Sequence, residues 1–228
     1  MKDNYIHICF IIDESGSMYS SSKDVTCGFQ SMIEEQKKLT EGKCTISLFT
    51  FNSKVKEIFI GKDVNEIENI DYFPYGSTSM NDGIGTAINK VGKWLSDMDE
   101  RERPSKNLIV IMTDGEENSS KEFTFNKVKE MISHQEEKYN WTFMYMGTDL
   151  TSMKQVNELG IKMSSFSSRK DYTNNYKIVS DTTSSYRKRG FYQSKVVFDN
   201  LNAELNEVTN KYEVDNGIKI KQWVIFYY

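Results

Sequence analysis

At 228 residues, with 38% hydrophobic and 13% aromatic side chains, the chain can bury one substantial core with a modest appendage, and two large independent domains would be a tight fit. A net charge of −4 leaves no basic footprint for wrapping nucleic acid, and the short run Arg187, Lys188, Arg189 reads as a solvated surface. Cys9, Cys27 and Cys44 are odd in number and lack CxxC spacing, the N-terminal apolar stretch is too short for a signal-peptide core, and no apolar run approaches the ~18 residues of a membrane span; the expectation is a cytoplasmic protein with no membrane partner.

The first element, residues 5–12, is a nearly continuous apolar run, as in a central strand covered on both faces. Ser21 or Ser22 caps a helix over residues 23–39, with Val25, Phe29, Met32, Ile33 and Gln36 near 3.6-residue spacing and its polar end, residues 34–38, toward water. Residues 45–51 form a second strand and residues 55–60 its hairpin partner. A helix over residues 80–98 turns Ile84, Ala87, Ile88, Val91 and Leu95 inward and stops at residues 101–104. A buried strand over 108–112, a helix over 123–139, a strand over 141–146, a short helix over 152–159 closed by Gly160 and a last strand over 161–166 follow.

Strands alternating with helices specify an α/β fold: a doubly wound, mostly parallel central sheet with one antiparallel edge strand and helices on both faces. The boundary of this unit is placed at residue 166. Residues 167–228 form an extension packed on the same domain. It opens as a Ser-, Thr- and Asn-rich link, continues as an amphipathic helix carrying Val197, Leu201, Leu205, Val208 and Tyr212, and ends in an apolar tail over 218–228.

Three motifs fall at the carboxyl ends of strands or in the loops beyond them, where open α/β sheets place ligand sites. Asp13, Ser15 and Ser17 form an Asp-x-Ser-x-Ser arrangement directly after the first strand, with Gly16 allowing a tight turn. Thr78 lies in a Gly-Ser-Thr-Ser loop before a helix, and Asp114 ends a second buried strand. This trio, in this order, resembles the von Willebrand factor A family and its metal ion-dependent adhesion site, over roughly residues 5–166. The stretch 143–149 is similar to small bacterial and phage members.

The resemblance implies that Ser15 and Ser17 are direct hydroxyl ligands of one divalent cation, that Thr78 and Asp114 bind directly or through water, and that Asp13 anchors a bound water. An all-oxygen set suits a hard cation, and a compact shell that keeps several waters favours Mg²⁺, with Mn²⁺ or Ca²⁺ as alternatives. Two carboxylates only balance the ion's charge, so it stays attractive to an acidic group, in the family an Asp or Glu of a partner protein. Function is then expected to be metal-dependent protein recognition without catalysis. The alternatives are a Mg²⁺-dependent phosphohydrolase with Asp13 as nucleophile, or a scaffold subunit with a structural metal.

Other polar residues read more plainly. Asp82 closes a loop or accepts hydrogen bonds near its helix start. Glu14, Glu116 and Glu117 are exposed acids at the rim. His7 lies mid-strand and His134 mid-helix, neither placed as a general base, and no nucleophile-elbow, phosphate-loop or zinc-protease motif occurs.

Overall fold

The computed structural model describes residues 1–147, 158–161, 163–166 and 172–189. Six strands, β1 (Lys2–Asp13), β2 (Lys43–Phe51), β3 (Val55–Asp63), β4 (Pro104–Met112), β5 (Thr142–Gly147) and β6 (Met163–Phe166), form one sheet in the order β3-β2-β1-β4-β5-β6. All pairs are parallel except β2 with β3, the antiparallel edge expected from the hairpin pairing of these two strands. Among the described residues the helices α1 (Ser22–Lys37), α2 (Met80–Ser96), α3 (Phe125–Tyr139) and α4 (Tyr172–Arg189) surround it. Among the described residues no helix is long and apolar enough to cross a membrane.

The alternation of the central strands divides the core in two. Ile6, Ile8, Phe10 and Ile12 of β1, with Leu108, Val110 and Met112 of β4, face Val25, Phe29, Met32 and Ile33 of α1 and Tyr172, Tyr176 and Val179 of α4. Cys9 and Ile11, with Ile109 and Ile111, face Ile84, Ile88 and Val91 of α2 and Val128 and Ile132 of α3. Both faces of β1 and β4 are therefore dry, which is why their sequences are continuous apolar runs.

Several expectations change in detail. The link anticipated after residue 166 contains α4, whose Tyr172, Tyr176, Val179 and Tyr186 join the core with α1 and β1, so the core extends past the boundary set from sequence. Gly28 makes this packing possible, because a Cβ there would collide with the Tyr176 ring. Gln36, set by spacing on the stripe of Val25 and Ile33 and by composition in the water-facing end, follows the stripe: it is buried and donates to Ser180 O and Ser184 Oγ of α4. Arg187, expected on a solvated surface, is 2% exposed, because carbonyls in the last turn of α1 and just beyond it gather its guanidinium. Ser21 occupies the cap position of α1 without a capping bond from its side chain, whereas Thr124 caps α3 by accepting from Lys127 N. Gly160 has φ +81°, the left-handed turn expected at a helix end. The amphipathic segment around residues 197–212, the apolar tail over 218–228 and most of the helix over 152–159 lie outside the described residues.

Candidate functional site

β1 and β4 are adjacent and parallel, with Ile12 opposite Met112, so Asp13 and the Thr113-Asp114 pair leave the sheet side by side. Asp13 is fully buried. Its Oδ1 accepts from Ser15 N at 2.7 Å and its Oδ2 from Thr113 Oγ1 at 2.5 Å, which fixes the carboxylate and curls the chain after it. Ser15 Oγ lies 3.1 Å from Ser17 Oγ, and Ser17 Oγ donates to Asp114 Oδ1 at 2.5 Å. One side of the site is thus a hydrogen-bonded run from Asp13 through the Ser15 amide and both serine hydroxyls to Asp114.

Thr78 reaches this cluster from the loop before α2. Gly16 N donates to Gly76 O at 3.1 Å, joining this loop to the turn after β1. Gly76 has φ +79°, and a Cβ on it would press on Ser53 Oγ at 2.8 Å, so glycine is required for the approach. Thr78 N donates to Asn118 Oδ1, and Asn118 N to Thr78 O, both at 3.0 Å. A Cβ added to Gly115 would lie 3.4 Å from Thr78 Oγ1, 3.5 Å from Ser17 Oγ and 3.8 Å from Asp13 Oδ2, so these three oxygens bound one small space. All five residues picked out by the sequence therefore converge.

The donor set fits a hard cation. Asp114 Oδ2 is buried and has no hydrogen-bond partner among the described residues, an arrangement that costs free energy unless a cation or water satisfies it. Burial pushes the Asp13 carboxyl up to about 6; hydrogen bonds from Thr113 and Ser15 oppose the rise, and the Asp114 charge adds to it. Two carboxylates thus share a buried corner that is short of positive charge. Among the described residues no three His, Cys, Asp or Glu side chains cluster as a metal site, so any ion here would depend on the hydroxyls. Ser17 is exposed while Asp13, Ser15, Thr78 and Asp114 are buried, so the cluster opens to solvent at one edge.

The surrounding acids serve the scaffold. Glu14, expected to be exposed, is 3% exposed: its carboxylate accepts from Thr50 Oγ1, Lys56 Nζ and Phe73 N, and the Lys56 ammonium on β3 draws it away from the rim. Glu117 is half-buried, accepting from Asn81 N, Ser119 N and Ser120 N, while the exposed loop acid is Glu116. Asp82 accepts from Lys121 N, Glu122 N and Phe123 N, the loop-closing role expected of it. Asp82 and Glu117 thereby clasp the start of α2 to the loop after β4 from opposite sides.

Three participants escaped the sequence reading: Thr113, Asn118 and Tyr72, whose hydroxyl donates to Asp13 O. Thr113 carries a signal, as the residue before a strand-end Asp; Asn118 and Tyr72 carry none, since an Asn or Tyr in a polar loop is ordinary. His7 is a satisfied core histidine, with Thr45 Oγ1 3.0 Å from Nδ1 and Ser47 Oγ 3.1 Å from Nε2.

The von Willebrand factor type A domain profile matches residues 7–187, which includes α4 up to its last turn. No curated protein matches the chain. Similar solved structures include the vWF domain of a type V pili tip protein from Porphyromonas gingivalis (11% identity, TM-score 0.60), with 84% of this chain and 99% of that one covered. Proximal thread matrix protein 1 from the mussel byssus, with a zinc-occupied MIDAS motif, is 15% identical (TM-score 0.53; 79% and 46% covered). A von Willebrand factor type A protein from Catenulispora acidiphila is 14% identical (TM-score 0.53; 80% and 42% covered). The chain spans less than half the length of the latter two, and at these identities the likeness is one of fold. With the profile spanning most of its length over the observed sheet order, the chain belongs to the von Willebrand factor type A domain family.

Proposed function

We propose that this domain is a divalent-cation-dependent protein-binding module, in which Asp13, Ser15, Ser17, Thr78 and Asp114 hold one ion, Mg²⁺ by preference, and a partner's Asp or Glu completes its coordination. The carrying observation is the buried Asp114 Oδ2, unpartnered among the described residues, beside hydroxyls from two other loops. The zinc-occupied MIDAS motif of the byssus protein supports a metal at the corresponding place. When bound, a hard cation there would offer an exposed coordination position to an oxygen anion. The chain's residues prepare it: Thr113 and Ser15 orient Asp13, Asn118 positions Thr78, and the Asp82–Glu117 clasp holds the two outer loops at fixed separation.

The phosphohydrolase alternative draws less support. Both Asp13 oxygens already accept hydrogen bonds, Ser15 stands where a second acid would serve, and His7 is committed inside the sheet. Cytoplasmic residence remains part of the proposal, consistent with three free cysteines of which Cys27 is exposed.

Isothermal titration with MgCl₂, MnCl₂ and CaCl₂ tests the metal reading. A single saturable site, lost in Asp114→Ala with the fold retained by circular dichroism, is expected. Absence of binding for all three ions, together with no change in Tm on adding EDTA, would overturn it.

A further inference from the structure

Six large hydrophobic side chains are exposed among the described residues, and three of them, Tyr19 (75%), Phe73 (70%) and Tyr75 (56%), belong to two of the three loops that carry the candidate site. Tyr19 follows Ser17 by two residues in the same short helical turn. Phe73 and Tyr75 precede Thr78 in its loop, and that loop is fastened to the metal motif at successive points. The Tyr72 hydroxyl donates to Asp13 O, Phe73 N to Glu14 Oε1 at 3.0 Å, Tyr75 N to Glu14 O at 2.9 Å, and Gly76 O accepts from Gly16 N at 3.1 Å. The backbone beneath Phe73 and Tyr75 is therefore fixed, with the intervening chain pinned by the buried Glu14. Aromatic rings held in water on a fastened loop lose the gain of burial, and large apolar side chains gathered at one rim mark contact surfaces.

We propose that Tyr19, Phe73 and Tyr75 form the apolar half of the partner-binding surface, and that the partner presents a carboxylate with an aromatic or large aliphatic side chain within a few residues of it. The inference rests on the metal-site reading above for the carboxylate and on the aromatic rim for its neighbour. Charge agrees with it. The Lys56 ammonium lies 5.5 Å from the Tyr75 ring centroid and 2.8 Å from Glu14 Oε2, with its side chain 43% exposed, so the aromatic edge carries a reachable cation despite the chain's overall −4 charge. Glu14 is neutralised there rather than repelling an incoming acid. The rings supply contact area at low entropic cost, as rigid anchors, while the acid would fix register.

The test is a peptide array in which a central Asp, Glu, Asn or Lys is flanked in turn by aromatic, aliphatic, polar or charged residues, probed with the full chain in MgCl₂ and again in EDTA. Binding is expected for Asp or Glu beside aromatic or aliphatic residues. A Phe73→Ser/Tyr75→Ser double variant should lose about tenfold or more of that affinity while its Mg²⁺ affinity stays within about twofold of wild type. Acidic peptides bound regardless of their flanks, no peptide bound at all, or a double variant that binds as wild type does would each overturn the proposal. So would sedimentation showing that the wild type dimerises and the double variant does not, since the rim would then serve a second copy. Aromatic-dependent binding that persists in EDTA would leave the surface standing and remove the metal reading instead.

Discussion

Asn118 grips both backbone polar groups of Thr78, its backbone amide donating to the Thr78 carbonyl and its side-chain oxygen accepting from the Thr78 amide. The two residues lie forty positions apart on loops that meet at the site, so this pair helps set where the Thr78 hydroxyl stands relative to Asp114. Replacing Asn118 by Ala removes one of the two bonds, worth about 1 kcal/mol. Mg²⁺ affinity should fall by about fivefold in calorimetry while Tm changes little. An Asn118→Ala protein that binds Mg²⁺ as the wild type does would show that Thr78 is placed by other means.

Gly115 offers a steric test of the same space. Its φ is not left-handed, and an added methyl would meet Thr78 Oγ1 and Ser17 Oγ at ordinary contact distance, so Gly115→Ala should fold with stability within about 0.5 kcal/mol of wild type. The methyl would nevertheless stand among the oxygens proposed to hold the ion. Titration calorimetry should show Mg²⁺ binding reduced by at least about tenfold, a loss of at least about 1.4 kcal/mol; unchanged binding would place the ion elsewhere.

His7 makes the fold acid-sensitive in a defined window. Burial between β2 and the Trp94 ring holds its pKa down at about 3, against an ordinary value of 6.5. Between those values the unfolded chain binds the proton and the native one does not, so stability falls as pH drops, by up to about 1.4 kcal/mol per pH unit. Urea unfolding at successive pH values should show a shallower decline for His7→Gln than for wild type below about pH 6.5. Parallel curves would mean that His7 is protonated in the native state or contributes nothing.

Arg187 closes the opposite end of the molecule. Its guanidinium donates to the carbonyls of Gln36, Leu39, Glu41 and Gly42, so α4 satisfies the end of α1 and the turn into β2. Arg187→Ala removes the shared donor from these carbonyls, of which water can replace part at the exposed Glu41 and Gly42, and should cost about 2 kcal/mol in chemical denaturation. Arg187→Lys should restore only part, because an ammonium cannot span the same set of carbonyls. Mg²⁺ affinity, measured where both variants remain folded, should not change.

The central strands were legible because β1 and β4 are buried on both faces, so their sequences are nearly continuous apolar runs with an Asp at or just past each end where the site begins; Thr78 was found through the family resemblance. What stayed hidden depended on partners distant in sequence. In α4, Tyr172, Tyr176, Val179, Thr183 and Tyr186 keep a helical period, but Ser, Thr and Asn between them gave the composition of a link. Glu14 looked exposed because Lys56, which neutralises it, comes from a strand 42 residues later. Arg187 resembled surface charge because its partners are backbone carbonyls, which leave no mark in a sequence.

From Tyr5 to Asp13 no residue of β1 is open to solvent, and the strand has hydrogen-bonded neighbours along both edges. Its amide protons should therefore trade with deuterium only when the entire molecule opens, among the slowest in the protein. The Asp13 carboxylate is thus mounted on the part of the chain that yields last. Loss of its geometry through partial melting at the periphery is not expected; the anchor should endure for as long as the protein remains folded.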